Sequence, residues 1–573
     1  MNKVARKVKF QEWASINEYS LALICWTCGL TNLWTLPNVF YKYGNSAAGL
    51  PLLLTNIIIT IPLVFAELSI GQYTNRCNMG IWRMVPPWKG VAYATSLILV
   101  CIATLNTYIT SQVLLYLIKS MSKEIPWSSC GSWATQKCFN LTTMKNFDSY
   151  SNCTDYENNV QHYYNVVILK QGSDGFEQMN IYLLICSAVV IVAVFVCCSK
   201  ILTSIQRLLN FLTFIPFLLL NVLLFTSMFY PGTLKGLCKF LTPKLEMLLD
   251  YNLWFEMFGL NLYSMGIGMG GLITISSHSN FRNNVFKVST FVPLFANARD
   301  VFFVLFVYLT FSGYCIWENI DANLLFEHKS SLLFVKIPMA FLRWPFYPHI
   351  WNCLYFAMLL LIGLRFIMLI VLVLLENLNE EWKISAIYPK TSVAFICVTI
   401  FFLNFIYYTN LGSTLFVFLE EICRDQLVLM MALIQFYAVF CIYGTSTFCK
   451  DIHFMLNQKT DYVRYIWYFD LLCLGAIFVY RRITSYVAYN PPIWMSIVHI
   501  LLLIAILLLM VVYFLVYIVK NREQGFKKLM RPCSDWGNKN PDIRKDRDFF
   551  NNETPGEEFN YRQELYTREI HNT

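Results

Sequence analysis

Charge is what this 573-residue chain has least of: Asp, Glu, Lys and Arg make up 14% of it, against 57% hydrophobic and 17% aromatic residues. A soluble domain cannot cover that much apolar side chain, so the composition excludes an aqueous globule and points to a bilayer. Paired C-x-x-C spacings are missing, and so are a nucleophile–base set and a phosphate loop, which leaves metal-centre and enzyme readings without support. No small-residue cleavage site follows the first apolar run, which reads as a span and not as a removable signal peptide.

What the chain does have is long apolar runs. Measured against a hydrocarbon core of about 30 Å, twelve candidate spans emerge, near 18–41, 47–70, 91–119, 180–198, 205–230, 253–278, 288–316, 351–376, 391–409, 412–445, 464–480 and 493–519. The fold class is therefore an all-α polytopic membrane protein. Residues 1–17 form an N-terminus and 18–520 the membrane domain. The polar tail 521–573, lacking apolar periodicity, is expected to be disordered.

Basic residues set the orientation. Lys3, Arg6, Lys7 and Lys9 precede the first span, and Lys520, Arg522, Lys527, Lys528 and Arg531 follow the last. With an even number of crossings, basic flanks at both ends put both termini in the cytoplasm. Most inter-span Lys and Arg fall on the same side, with Arg481 and Arg482 as the misfit. The net charge of +9 is thus largely topology and does not argue for a nucleic-acid partner.

The longest polar insertion, 121–179, then lies outside. It carries Cys130, Cys138 and the sequons at Asn140 and Asn152. Two cysteines beside glycosylation sequons in an outer loop read as a disulfide in an oxidising compartment, with free thiols or a pairing through Cys153 as the alternatives. Most other cysteines of the 19 sit inside spans as small buried residues.

Two apolar spans are interrupted by glycine-bearing stretches: Cys28-Gly29-Leu30-Thr31-Asn32, and Ser264 through Gly271 with Gly266, Gly268, Gly270 and Gly271. Unwound backbone at membrane depth is tolerated only where protein buries it or where it lines a cavity, and there it offers carbonyls, amides and half-helix dipoles to a small solute.

The residues around these breaks carry a resemblance. Gly29 through Pro37 (GLTNLWTLP), Pro62 through Gln72 with ELSIGQ at its end, Ile125 through Cys130, Tyr230-Pro-Gly232, the central glycine cluster, Met358 through Leu364, and Ile442-Tyr-Gly444 with Asp451-Ile452 are similar, in order, to the neurotransmitter:sodium symporter family. The likeness runs from about residue 10 to 520. It implies a bacterial leucine transporter-like fold of inverted five-helix repeats, here about 18–230 and 253–445, with the solute between broken spans one and six. It also implies sodium-coupled symport of an amino-acid-like, neurotransmitter or osmolyte solute across the plasma membrane.

By the same resemblance, the first sodium site maps to the Thr27 carbonyl, Asn32, Ser264 and Asn297, all hard oxygen donors. The alternative is that the two asparagines only cap or cross-link helices. The second sodium site maps to the carbonyls of Cys25, Cys28 and Ile362, but its hydroxyl positions hold Arg365 and Phe366. An intramembrane arginine needs a cavity, an acid or a carbonyl cluster. The expectation is that Arg365 replaces this sodium as a tethered cation; the alternative pairs it with Asp300 or Glu67. The chloride positions map to Leu52, Leu260 and Val301, which cannot bind an anion, so chloride use is not expected. Arg299 and Asp300 read either as a local ion pair or as charge balance.

The solute positions implied are Gly29, Leu30, Thr31, Asn106, Tyr263, Gly266, Met269 and Phe366. Gly29 removes the counter-ion that amine-selective members carry, which favours a carboxylated solute on the amides of Leu30 and Thr31. The gate positions are Thr35 and Glu420 outside, and Trp13, His278 and Glu380 inside, with Phe10 where the family has an arginine. An outer salt bridge is therefore not expected. The reading that follows is a symporter with one sodium and no chloride. The alternative is a transporter-like membrane protein that binds or regulates without moving solute, or does so without sodium.

Overall fold

The computed structural model describes residues 12–13, 15–27, 29–140, 157–170, 179–230, 232–318, 332–344, 347–488 and 493–552. Phe10, Cys28 and Asn152 lie outside these residues. Among the described residues ten helices are long and apolar enough to cross a membrane. Two of the twelve expected spans, 18–41 and 253–278, are absent from that set because each is broken. The first consists of Ile16–Trp26 and Thr31–Lys42, the sixth of Tyr251–Met265 and Gly271–Ser276.

Each break has a local cause. Ser15 caps the first half-helix, accepting the Glu18 N–H at 3.3 Å, and the helix ends at Thr27, just before Gly29. In the sixth span Gly266, Gly268 and Gly270 take φ of 65°, 79° and 76°, a left-handed backbone that glycine alone adopts without cost. The indole of Trp26 fills the space the glycines leave. A Cβ on Gly266 would stand 2.3 Å from its Nε1, and one on Gly271 2.1 Å from its Cζ2. The two interruptions thus pack directly against each other.

Around this broken pair the intact helices form a graded shell. Helix Pro348–Glu381 is 83% buried over its apolar window, packing against Gly90–Ser120 and against Ile181–Ser227, the single helix that carries the fourth and fifth expected spans. Helix Ile493–Lys520 is 6% buried over its window, and its exposed leucines, isoleucines and valines are stable only because lipid is as apolar as they are. The expected outer disulfide is present between Cys130 and Cys138, beside a short parallel ladder of Cys138–Phe139 with Glu157–Asn158.

The tail departs from expectation. Up to residue 552 it is ordered, with helices Phe526–Leu529 and Pro541–Asn552. Trp536 Nε1 donates to the Tyr443 hydroxyl at 2.9 Å, Lys539 N to the Thr74 carbonyl at 3.0 Å, and Cys533 N to the Arg83 carbonyl at 2.9 Å. Arg547 pairs with the buried Asp451 at 2.7 Å. Burial alone would lower the pKa of this guanidinium, but the Asp451 carboxylate outweighs it and holds the pKa above the ordinary arginine value. A polar segment without periodicity builds no core of its own, yet it can dock where each polar group meets a partner.

Candidate functional site

The fold brings most of the sequence-indicated residues to the two breaks. Leu30, Thr31, Tyr263 and Met269 are buried there. Phe366 lies against Gly29, its ring carbons 3.5–3.8 Å from where a Cβ on that glycine would sit. The Phe366 ring also meets Trp26 at 5.9 Å between centroids. Asn106 is buried but turns its amide to the Ile102 carbonyl of its own helix at 2.9 Å. The immediate surroundings of Gly29 are thus aromatic, with polar contact left to backbone groups.

At the positions of the first sodium site the Thr27 carbonyl is engaged, while Asn32 Oδ1 and Ser264 Oγ are buried without a hydrogen-bond partner. The Thr27 carbonyl accepts Arg299 Nη2 at 3.2 Å. Arg299 Nε and Nη2 hold Asp300 Oδ1 at 3.0 and 2.9 Å, and Asn32 Nδ2 donates to Asp300 Oδ2 at 3.5 Å. Asn297 Nδ2 points to the Leu52 carbonyl at 3.5 Å. Arg299 and Asp300 are therefore a local ion pair that also grips the end of the first half-helix. As arranged, these groups do not leave the Thr27 carbonyl open to a mobile ion.

Beside this pair is a cavity of about 310 Å³, between the first span, helix Ile181–Ser227, the seventh span and the eighth. Ile24, Ile362, Arg365, Arg299 and Asp300 line it. Arg365, 2% exposed, thus shares a space with Ile362 of the mapped second sodium site. Cys25 directs its thiol to Thr213 Oγ1 at 2.6 Å. The two acids weighed as alternative partners for Arg365 have other contacts: Asp300 holds Arg299, and Glu67 Oε1 accepts Gly268 N at 2.8 Å and Gln435 Nε2 at 2.6 Å.

The chloride positions are apolar side chains, and Leu52 and Leu260 are buried. At the outer gate positions, Thr35 Oγ1 donates to the Thr31 carbonyl at 2.9 Å, and Glu420 pairs with Arg424 one helical turn away at 2.9 Å. At the inner ones, Trp13 Nε1 donates to the Ile275 carbonyl and Trp13 N to the His278 carbonyl, both at 3.0 Å. Glu380 meets Arg76 at 3.3 Å and Arg83 at 3.4 Å. Sequence reasoning missed Arg299 on Thr27, Glu67 on the sixth-span break, and Arg424. Only Arg424 left a signal, its i,i+4 spacing from Glu420.

Comparison with known proteins agrees with this architecture. Residues 10–521 match the profile of the family described as Sodium:neurotransmitter symporter family. The sodium- and chloride-dependent glycine transporter 2 of Xenopus laevis is 25% identical over 570 residues, covering 92% of this chain and 72% of that protein. Glycine transporter 1 of the same organism is 26% identical, covering 93% and 89%. The sodium- and chloride-dependent creatine transporter 1 of Bos taurus is 26% identical, covering 84% and 78%. The chain belongs to the Sodium:neurotransmitter symporter family, a family of multi-pass membrane carriers and not of enzymes.

Proposed function

We propose that this protein is a plasma-membrane secondary carrier for a small amino-acid-like, neurotransmitter or osmolyte solute, with both termini cytoplasmic. The solute lies between the broken spans, against Gly29, Leu30, Thr31, Tyr263, Gly266, Met269 and Phe366. The observation that carries this reading is the packing of the two breaks on each other through Trp26: unwound backbone from two broken spans meets at one buried point, where amides and carbonyls can face a small solute. Gly29 in place of an acid favours a carboxylated solute over a cationic amine. The buried Phe366 beside it favours a small one. Two inverted repeats, about 18–230 and 253–445, would rock against each other to expose this point to either side.

Ion use departs from the relatives. Leu52, Leu260 and Val301 give chloride nothing to bind. Arg365 stands in for the second sodium as a tethered cation, supported by its burial on the cavity that Ile24 and Ile362 also line. Any sodium the carrier uses then has to enter the first position.

One observation favours a second reading, a transporter-like protein that binds without moving solute. Arg424 takes up Glu420 within its own helix, and the facing gate position, Thr35, brings no charge to a cross-helix ion pair. Uptake of a labelled amino-acid, amine and osmolyte panel into cells with surface-expressed protein separates the two. Saturable uptake of one solute, reduced by Tyr263→Ala, is the expected result. Binding of a solute without accumulation would favour the second reading.

A further inference from the structure

Two side chains adjacent in sequence close the break of the first span. Thr27 ends the helix Ile16–Trp26, and a helix C-terminus leaves carbonyls without intrahelical partners and carries a partial negative charge. Into that carbonyl Arg299 donates Nη2 at 3.2 Å. The same guanidinium holds Asp300, and Asp300 in turn accepts Asn32 Nδ2 from the second half of the span. The chain Thr27–Arg299–Asp300–Asn32 therefore stitches the two half-helices together with one positive and one negative charge. Arg299 is 9% and Asp300 5% exposed.

We infer that Arg299 is a built-in cation at the first sodium position, and that solute movement by this chain, on the carrier reading above, needs no sodium there. A mobile cation at the Thr27 carbonyl would stand beside a fixed guanidinium and repel it. It would find no uncompensated acid either, since Asp300 is already neutralised by its neighbour. Asn32 and Asn297 donate amide N–H groups to Asp300 and to the Leu52 carbonyl; the Asn32 Oδ1 and Ser264 Oγ left over are neutral oxygens that offset no repulsion from the guanidinium. With Arg365 on the adjoining cavity, both cation positions of the first span are then served by guanidinium groups. A sodium ion links the two halves of a broken helix only while bound; an arginine does so throughout, so the carrier would follow the solute's own gradient.

The test is sodium-specific stabilisation of the purified full-length protein, measured as melting temperature in sodium chloride against choline chloride at equal ionic strength. We expect no difference for the wild type. For Arg299→Gln we expect a rise of several degrees in sodium, because Asp300 is then left without a cation, and Ser264→Ala added to that variant should remove the gain. Should Arg299→Gln alone give no folded protein, Arg299→Gln with Asp300→Asn removes the pair as a unit and frees the Thr27 carbonyl beside the unpartnered Asn32 Oδ1 and Ser264 Oγ; its sodium response, carried by these neutral oxygens, smaller than with a free carboxylate and again cancelled by Ser264→Ala, decides. A sodium-specific rise in the wild type that Ser264→Ala abolishes overturns the inference, as does a folded neutral variant that ignores sodium. Uptake in the two salts keeps this separate from the carrier reading: no uptake in either defeats the carrier reading alone, and uptake only in sodium defeats this inference alone.

Discussion

Glu67 and Gly268 are joined across the second and sixth spans: the Glu67 Oε1 accepts the Gly268 backbone N–H at 2.8 Å, with the Gln435 amide on the same oxygen at 2.6 Å. Gly268 sits in the left-handed turn of the sixth-span break, where its N–H has no helical carbonyl to meet. In a bilayer an unpaired backbone donor is costly. The acid on one span therefore holds open the backbone of another.

Glu67→Ala should accordingly cost about 2 kcal/mol or more, since it strands the Gly268 N–H and the Gln435 amide together. A fall of several degrees in melting temperature of the detergent-solubilised protein checks this. Glu67→Gln keeps one acceptor oxygen for Gly268 and should recover part of the loss. A Glu67→Ala protein that melts with the wild type would show that the carboxyl does not support the break.

Much of this arrangement is legible in the sequence, for reasons that differ by residue. The breaks announce themselves because glycine clusters inside apolar runs have no helical use. The Cys130–Cys138 bridge follows from two cysteines eight residues apart in an outer loop. Arg299 on Thr27 is not legible, because the partners are 272 residues apart and an Arg-Asp doublet satisfies itself locally on paper. The tail is not legible either: its docking rests on single groups, Trp536, Arg547 and Asn538, whose Nδ2 donates to the Tyr73 carbonyl at 3.0 Å, that fit a surface the sequence does not draw.

Gly271 is the tightest point between the broken spans. A Cβ there would fall 2.1 Å from the Trp26 ring, so Gly271→Ala must move either the indole or the half-helix behind it. Overpacking of this kind costs about 1–3 kcal/mol. We expect Gly271→Ala to lower melting temperature and surface expression, and Trp26→Leu introduced with it to restore part of the loss. Each change alone should be worse than simple addition to the other predicts, a coupling that a double-mutant cycle measures.

Arg547 and Asp451 form a buried pair that anchors the tail, at 2.7 Å with side chains 8% and 3% exposed. Breaking such a pair from one side leaves an uncompensated charge and costs about 3 kcal/mol, whereas removing both partners costs less. Arg547→Ala should therefore destabilise the protein more than Arg547→Gln combined with Asp451→Asn. Limited proteolysis after Lys539 and Arg544 should accelerate in the single variant, because Lys539 N on the Thr74 carbonyl and Arg544 on the Asp535 carbonyl depend on the same docked segment. Cleavage at an unchanged rate would mean that Trp536 against Tyr443 holds the tail without the ion pair.

Arg365 offers the complementary exchange on the eighth span. If its guanidinium serves as the cation of the second position, supplying hydroxyls in place of Arg365 and Phe366 should hand that position back to a mobile ion. Arg365→Ser with Phe366→Ser is then expected to acquire a sodium-specific rise in melting temperature that Ser264→Ala does not remove, since Ser264 belongs to the other position. The double change is needed because Arg365→Ser alone leaves a phenyl ring beside Gly29 and Trp26 and supplies one ligand where two are required. Adding Arg299→Gln should produce a second, Ser264-dependent response on top of the first. A double variant that melts at the same temperature in sodium and choline would place the role of Arg365 elsewhere in the cavity it lines with Arg299 and Asp300.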